Sequence, residues 1–227
     1  MCGIVGFTHS NGLQDAALIQ RATRSLAHRG PDQQGVWQSA DISLGAVRLK
    51  IIDLEHGDQP MFEGPSGNGT VIVFNGEIYN HAELRKELEG HGHRFRSRCD
   101  TEVVLRAFLQ WDITCFSRLR GMFAAALWNP SRRRLVLARD RMGIKPLYLF
   151  HRGLDLFFAS ELKALLLHPD VERRLDLEGL SDFLSMNYVP GPRTLVAGIR
   201  KLPPGKWMEW ENGRIRSDSY WGLPHPA

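Results

Sequence analysis

The chain has 227 residues, 43% hydrophobic and 24% charged, with a formal net charge of +4. This is the composition of an ordinary globular protein, long enough for one large domain or for one domain and part of a second. Cys2, Cys99 and Cys115 are too few and too irregularly spaced for a disulfide framework or a zinc site, and no metal is expected. The nine histidines show no ligand spacing, and no apolar run approaches the length of a membrane span. The modest positive charge permits nucleic-acid contact without requiring it, so neither nucleic acid nor membrane is an expected partner. A reducing, cytoplasmic compartment is the simplest expectation.

In chain order, the run "GIVGF" after Cys2 predicts a short buried strand, followed by a polar turn at "HSNG". A helix is expected over about Gln14 to Ala27, with Leu18, Ala22 and Leu26 on one face and Gly30 and Pro31 as its terminators. The stretches "GVWQS", "ISLGAVRL" and "TVIVFNGEIY" read as strands. Asn80, with Glu83 three residues on, predicts an N-cap and a helix with Leu84 and Leu88 inward. A further helix should begin near Asp100 and bury Val104, Leu105, Phe108 and Leu109. After Gly121 the pattern is hairpins: "MFAAALW" and "RLVLA" around "NPSRR", then "PLYLF" and "LFFAS" around "HRGLD". Arg132, Arg133 and Arg134 read as a solvated hairpin tip, and Ser160 as the cap of a short helix. Beyond Pro169 come a short helix, a Pro/Gly-rich segment and a small hairpin at "ENGRI". Counting elements gives an α+β protein, with helices outside stacked antiparallel sheets.

Cys2 poses the first chemical question. It is either a buried strand cysteine or, once Met1 is removed, a thiol and a free α-amine on one residue. Model thiols and α-amines titrate within about half a unit of each other, so moving the proton costs only ~1 kcal/mol. An N-terminal cysteine can therefore carry its own base without a histidine.

Three other stretches each admit two readings. In "VFNGEIY", Asn75 and Gly76 offer a carboxamide and a backbone N–H to an oxyanion, but Asn-Gly is also the leading hairpin-turn signal. Against a turn, "EIY" is a poor second strand. Arg48 could grip a carboxylate bidentately or be an exposed strand-end arginine. Asp100 could accept an ammonium or cap a helix. Glu77, beside Asn75, is expected to do no more than hydrogen-bond locally.

Taken together, "MCGIVG", "HRGPD", "RLKIID", "FNGEIYNH", "CDTEVVL", "LRGMFAAALW", "RDRMGIKPLY" and "SELKAL" resemble the glutaminase domain of class II glutamine amidotransferases, in the order that family shows them. "NGEIYN" and "DRMGIKPLY" resemble its asparagine synthetase branch. The resemblance is strong over residues 2–168, and "NYVPGPRTLVAGIRKLPPGKW" with "SYW" extends it to near 222. It implies an N-terminal nucleophile hydrolase fold, an αββα sandwich, with glutamine as substrate. By position it makes Cys2 the nucleophile, Asn75 and Gly76 the oxyanion donors, and Arg48 the carboxylate clamp. Asp100 and Glu77 would contact the amino and amide ends of the substrate, and Ile51 and Ile52 would line the pocket with backbone groups. Ala46 and Val47 depart from the histidine and polar residue common before the arginine, which questions the support around Arg48. Cys99 reads as packing, with redox sensitivity the lesser alternative.

No phosphate loop of the form S-G-G-x-D-S is present. The expected organisation is a glutaminase domain over 2–168 and a connector over 169–227 leading to an ATP-dependent synthetase domain, which is either cut away or a separate chain. No cofactor is expected in this chain; ATP and Mg belong to that synthetase. The expected reaction is hydrolysis of glutamine through a Cys2 thioester, supplying ammonia for amidation of aspartate. Two alternatives stand beside it: a sugar-acid or peptide acceptor, and a non-catalytic binding or dimerisation module. A homodimer is left open.

Overall fold

A computed structural model describes residues 2–10, 12, 16–64 and 69–223 of the chain. Among them, two six-stranded antiparallel sheets form the centre. The first runs β10 (Ile199–Lys201), β8 (Tyr148–Arg152), β9 (Asp155–Ala159), β1 (Gly3–Thr8), β3 (Ile42–Arg48), β2 (Gln33–Gln38). The second runs β12 (Arg214–Ser219), β11 (Lys206–Glu211), β7 (Arg134–Arg139), β6 (Gly121–Asn129), β5 (Val71–Ile78), β4 (Met61–Phe62). Helices α1 (Ala16–Arg24) and α5 (Leu162–Leu165) cover the first sheet. Helices α2 (His81–Gly90), α3 (Asp100–Trp111) and α4 (Cys115–Arg118) cover the second, and α6 (Leu177–Met186) precedes β10. This is the αββα sandwich the sequence implies.

Central strands covered on both faces must be apolar on both, and β1 and β3 are buried at every residue. Successive side chains point to opposite faces, so each strand feeds two cores. Ile4, Leu44, Ala46, Val71, Val73, Ala124 and Ala126 pack between the sheets. Val5, Phe7 and Val47 pack against Leu18, Ala22 and Leu26 beneath α1. Ile72, Phe74 and Phe123 meet Val104, Leu105 and Phe108 of α3.

The segment after residue 169 continues both sheets. β10 pairs with β8 at one edge, β11 pairs with β7 in the other sheet, and Trp210 is buried against Trp128 between them. Asn212 (φ 51°) and Gly213 (φ 83°) form the tight turn between β11 and β12, as "ENGRI" predicts.

Several local expectations are corrected. α1 is described over Ala16–Arg24 and ends before Ala27, with a 3-10 turn over Ala27–Arg29; the expected start at Gln14 lies outside the described residues. The Asn80 side chain caps nothing on α2; it accepts from Arg120 N (2.9 Å) and donates to Arg118 O (3.1 Å), holding the start of β6. Ser160 is not a helix cap either. Its hydroxyl accepts from Ile4 N and its own N–H donates to Ile4 O, extending the β1–β9 pairing towards Cys2. Arg132 and Arg133 are exposed, but Arg134 turns inward beneath α3, where it is buried with Glu209 and also pairs with the half-exposed Asp112.

Gly6 lies in β1 between β9 and β3, and a Cβ there would stand 2.5 Å from the buried Phe158 ring and 2.9 Å from Leu44. Gly6→Ala is expected to destabilise by about 1–3 kcal/mol through overpacking, lowering the melting temperature by roughly 3–10 °C. Thermal unfolding followed by circular dichroism checks this.

Candidate active site

Strand parity brings the chemical residues together. Cys2 precedes Ile4 by two residues, Arg48 follows Ala46, Asn75 and Glu77 follow Val73, and Met122 precedes Ala124, so all five share the face between the sheets. Gly3 pairs with Val47, which puts Cys2 beside the Arg48 end of β3. Asn75 pairs with Ala124 and Gly76 with Phe123 in the facing sheet. At this end the interior opens into a cavity of about 120 Å³. It is lined by Cys2, Arg48, Leu49, Ile51, Ile52, Asn75, Gly76, Glu77, Cys99, Asp100, Thr101, Met122 and Lys145. Every site residue expected from the sequence is on this wall.

Cys2 Sγ is 3.9 Å from Leu49 O, and the Cys2 carbonyl accepts from Arg29 Nε at 2.9 Å. Arg29 is itself fixed by Glu161 at 2.9 Å. Asn75 and Gly76 lie inside β5, so the hairpin reading fails. Asn75 is wholly buried, yet both polar atoms of its carboxamide lack a partner among the described residues. Buried amides are almost always hydrogen-bonded, and this one lies on the cavity wall, where a group entering the cavity can reach it.

Arg48 is 5% exposed. Its Nη2 donates to Ile52 O (2.7 Å) and Asp53 O (2.6 Å), and its Nη1 to Asp58 (3.3 Å). Ala46 and Val47 do not take part in this support: the one packs between the sheets and the other beneath α1. The guanidinium is held by the carbonyls of the following loop instead. Gly57 and Gly30 make that arrangement fit. A Cβ on Gly57 would stand 2.1 Å from Arg48 Nη2, and one on Gly30 would stand 2.5 Å from Arg48 N.

Asp100 is the first residue of α3, with Cys99 rather than Asp100 in the capping position. Asp100 Oδ2 accepts from Ile78 N at 2.9 Å, tying the helix to the end of β5. Cys99 is buried, its Sγ lies 3.3 Å from Ser97 Oγ, and burial pushes its thiol above the ordinary range. Lys145 reaches the wall from a loop organised by the fully buried Asp140, which accepts from the N–H groups of Met142, Ile144, Lys145 and Phe123. Sequence reasoning missed Arg29, Gly57 and Lys145 as parts of this site, although "HRGPD" and "RDRMGIKPLY" carry two of them. Among the described residues, no group of histidine, cysteine, aspartate or glutamate side chains is arranged to hold a metal ion. No described helix is long and apolar enough to cross a membrane.

Burial pushes the Asp100 carboxyl above its ordinary range, outweighing the N–H groups of Ile78 and Thr101 that favour the anion. A carboxyl whose pKa is raised on folding stabilises the fold below its unfolded pKa and loses that contribution as pH rises through the folded value. Asp100→Asn, which keeps an acceptor for Ile78 N, should therefore raise the melting temperature near pH 8. The gain should shrink as pH falls through the raised pKa of Asp100, as thermal denaturation at a series of pH values will show.

Comparisons with known proteins show which family the chain resembles over its length. The model of the glutamine amidotransferase domain family matches residues 1–221. Asparagine synthetase [glutamine-hydrolyzing] 3 of Bacillus subtilis (strain 168) is 37% identical over 226 residues, covering 98% of this chain and 37% of that protein. Asparagine synthetase [glutamine-hydrolyzing] 1 of the same organism is 41% identical over 211 residues, covering 90% of this chain and 33% of that protein. The chain thus spans about a third of the length of these curated relatives. In fold, it is similar to the glutamine phosphoribosylpyrophosphate amidotransferase from B. subtilis, with a TM-score of 0.68 at 19% identity over 97% of this chain and 49% of that one. With the family model spanning nearly its whole length, the chain belongs to the glutamine amidotransferase domain family.

Proposed function

We propose that the chain hydrolyses glutamine to glutamate and ammonia at Cys2. The observation that carries this reading is the unpaired, wholly buried Asn75 carboxamide on the same wall as Cys2, Arg48 and Asp100. Arg48 takes the α-carboxylate, displacing Asp58, whose side chain is exposed and whose contact is long. Asp100 takes the α-ammonium, and the backbone at Ile51 and Ile52 lines the space between. Glu77 faces the amide end.

With Cys2 as the N-terminal residue, its α-amine accepts the thiol proton and sulfur attacks the side-chain amide carbon. The oxyanion so formed is received by the Asn75 carboxamide N–H and the Gly76 N–H. The intermediate collapses with transfer of the proton to nitrogen, expelling ammonia and leaving a thioester. Water, deprotonated by the amine, attacks the thioester carbonyl; glutamate departs and the thiol is restored.

The ammonia acceptor belongs to the part of the relatives that this chain does not span. On their names, the reading assigns an asparagine synthetase part, which the family resemblance makes ATP- and Mg-dependent and an amidator of aspartate, either linked to this domain or a separate chain in the same cytoplasmic compartment. Leu177, Leu184 and Tyr188, exposed on and beyond α6, are the surface assigned to it. A division at residue 168 would then mark where the connector begins, although its strands complete both sheets.

Glutamate release by the wild-type chain and its loss in Cys2→Ala test the reading directly. Arg48→Ala should raise KM with kcat nearly kept, because the carboxylate does not change charge during reaction. Asn75→Ala should lower kcat by about a hundredfold or more, the usual cost of one oxyanion donor. Unequal effects of this kind separate the two roles; a loss confined to KM in Asn75→Ala would remove it from the oxyanion site. The intact mass of active protein should be lighter by one methionine residue, and an N-terminal extension should abolish turnover without unfolding. Full activity with Met1 retained would exclude the amine as base.

A further inference from the structure

Asp53 follows the lining residues Ile51 and Ile52 in the loop after β3 and holds the lining residue Arg48, although it is absent from the cavity lining itself. It is held at φ 51°, in the left-handed region that non-glycine residues seldom occupy and that Asp and Asn tolerate best. Its carbonyl accepts from Arg48 Nη2 at 2.6 Å. Its carboxylate Oδ2 accepts from Arg98 N at 2.6 Å, and Oδ1 accepts from His56 N at 3.0 Å. The side chain is 8% exposed.

These contacts join two parts of the chain that carry opposite charges in the site. The loop after β3 orients Arg48, and Arg98 lies two residues before Asp100. The segment 96–99 is also pinned by Glu102, which accepts from Arg96 N, Ser97 N and the Ser97 hydroxyl. Asp53 is the link between that pinned segment and the arginine loop. Its carboxyl is held down to about 2, chiefly by the Arg98 N–H with the His56 contacts adding to it, so the link stays ionised throughout the working pH range.

Resting on the glutamine reading, we propose that Asp53 is a positioning residue: a strut that fixes the separation between the Arg48 guanidinium and the Asp100 carboxylate, and so selects an α-amino acid carrying both charges. It touches no substrate. Its work is done by the left-handed backbone that aims its carbonyl at Arg48 and by the carboxylate that ties that backbone to the segment leading into Asp100.

The test is calorimetric binding of glutamine, and of glutamine with its α-carboxylate replaced by a carboxamide, to the 227-residue chain bearing Cys2→Ala. Asp53→Gly keeps the backbone freedom and removes both acceptors; Asp53→Asn keeps the backbone preference and one acceptor. Asp53→Gly should weaken glutamine by about tenfold, the scale of one misaligned charge-assisted contact, and Asp53→Asn by less. Binding of the carboxamide should change by less than about twofold, since it makes no demand on the Arg48 charge. Equal weakening of both ligands would show a general collapse of the wall, and unchanged glutamine affinity in Asp53→Gly would show that the strut is idle; either result overturns the proposal. If the Cys2→Ala parent binds no glutamine at all, the glutamine reading falls and the strut with it.

Discussion

The site depends on one constraint, the period-two alternation of side chains in two stacked sheets. Because β1, β3, β5 and β6 are buried on both faces, each has one row of side chains committed to the interior between the sheets. Apolar residues fill that row until the strands approach one end, where Cys2, Arg48, Asn75 and Met122 replace them. A one-residue slip of β3 against β1 would turn Arg48 towards α1 and leave an unpaired cation in an apolar core. The packing that excludes that slip also sets the geometry of the cavity, so stability and chemistry share the same register.

Rigid strands position the row, but the cavity mouth is made of loops, and those loops are held by carboxylates. Asp140 gathers four N–H groups behind Lys145, Glu102 fastens the segment before α3, and Asp53 joins that segment to the loop after β3. A buried carboxylate is costly unless its oxygens are satisfied, and in each case backbone N–H groups satisfy them. The arrangement turns flexible chain into fixed wall without needing more apolar area. It also explains why Arg48 can be nearly buried on a loop-bounded edge: two carbonyls hold it before any ligand arrives.

What was legible in the sequence follows the same division. Strand positions and the two sheets could be read because apolar runs and turn residues are local signals. The two Asn-Gly pairs show where local signals stop. Asn212-Gly213 has strand-length arms on both sides and turns, with both residues at positive φ. Asn75-Gly76 is paired across its whole length with β6, and tertiary pairing overrides its turn preference. Ser160 and Asn80 were misread as caps because their partners, Ile4 and Arg118–Arg120, are distant in sequence. Arg134 was misread because burial of a charge depends on Glu209, supplied by a strand 75 residues on. The candidate site residues were raised as open alternatives by their own stretches and assigned by resemblance to a family; the residues that hold them, Arg29, Gly57 and Asp53, act through contacts that no local pattern encodes.

The electrostatics of the cavity complete the argument. Arg48 arrives with its charge already balanced by carbonyls and by Asp58, whereas Asp100 has backbone N–H groups but not enough of them to offset its burial. The cavity therefore presents a satisfied cation at one place and an undercompensated anion at another. Under the proposed function the incoming ammonium corrects that imbalance, and part of the binding free energy comes from relieving a cost built into the fold. Under the same reading the unpaired Asn75 carboxamide is a second such cost, relieved most fully when an oxygen bearing developing charge comes to lie beside its N–H. A ground-state ligand would settle the first debt and the transition state the second, which is how one small cavity can separate recognition of a substrate from acceleration of its reaction.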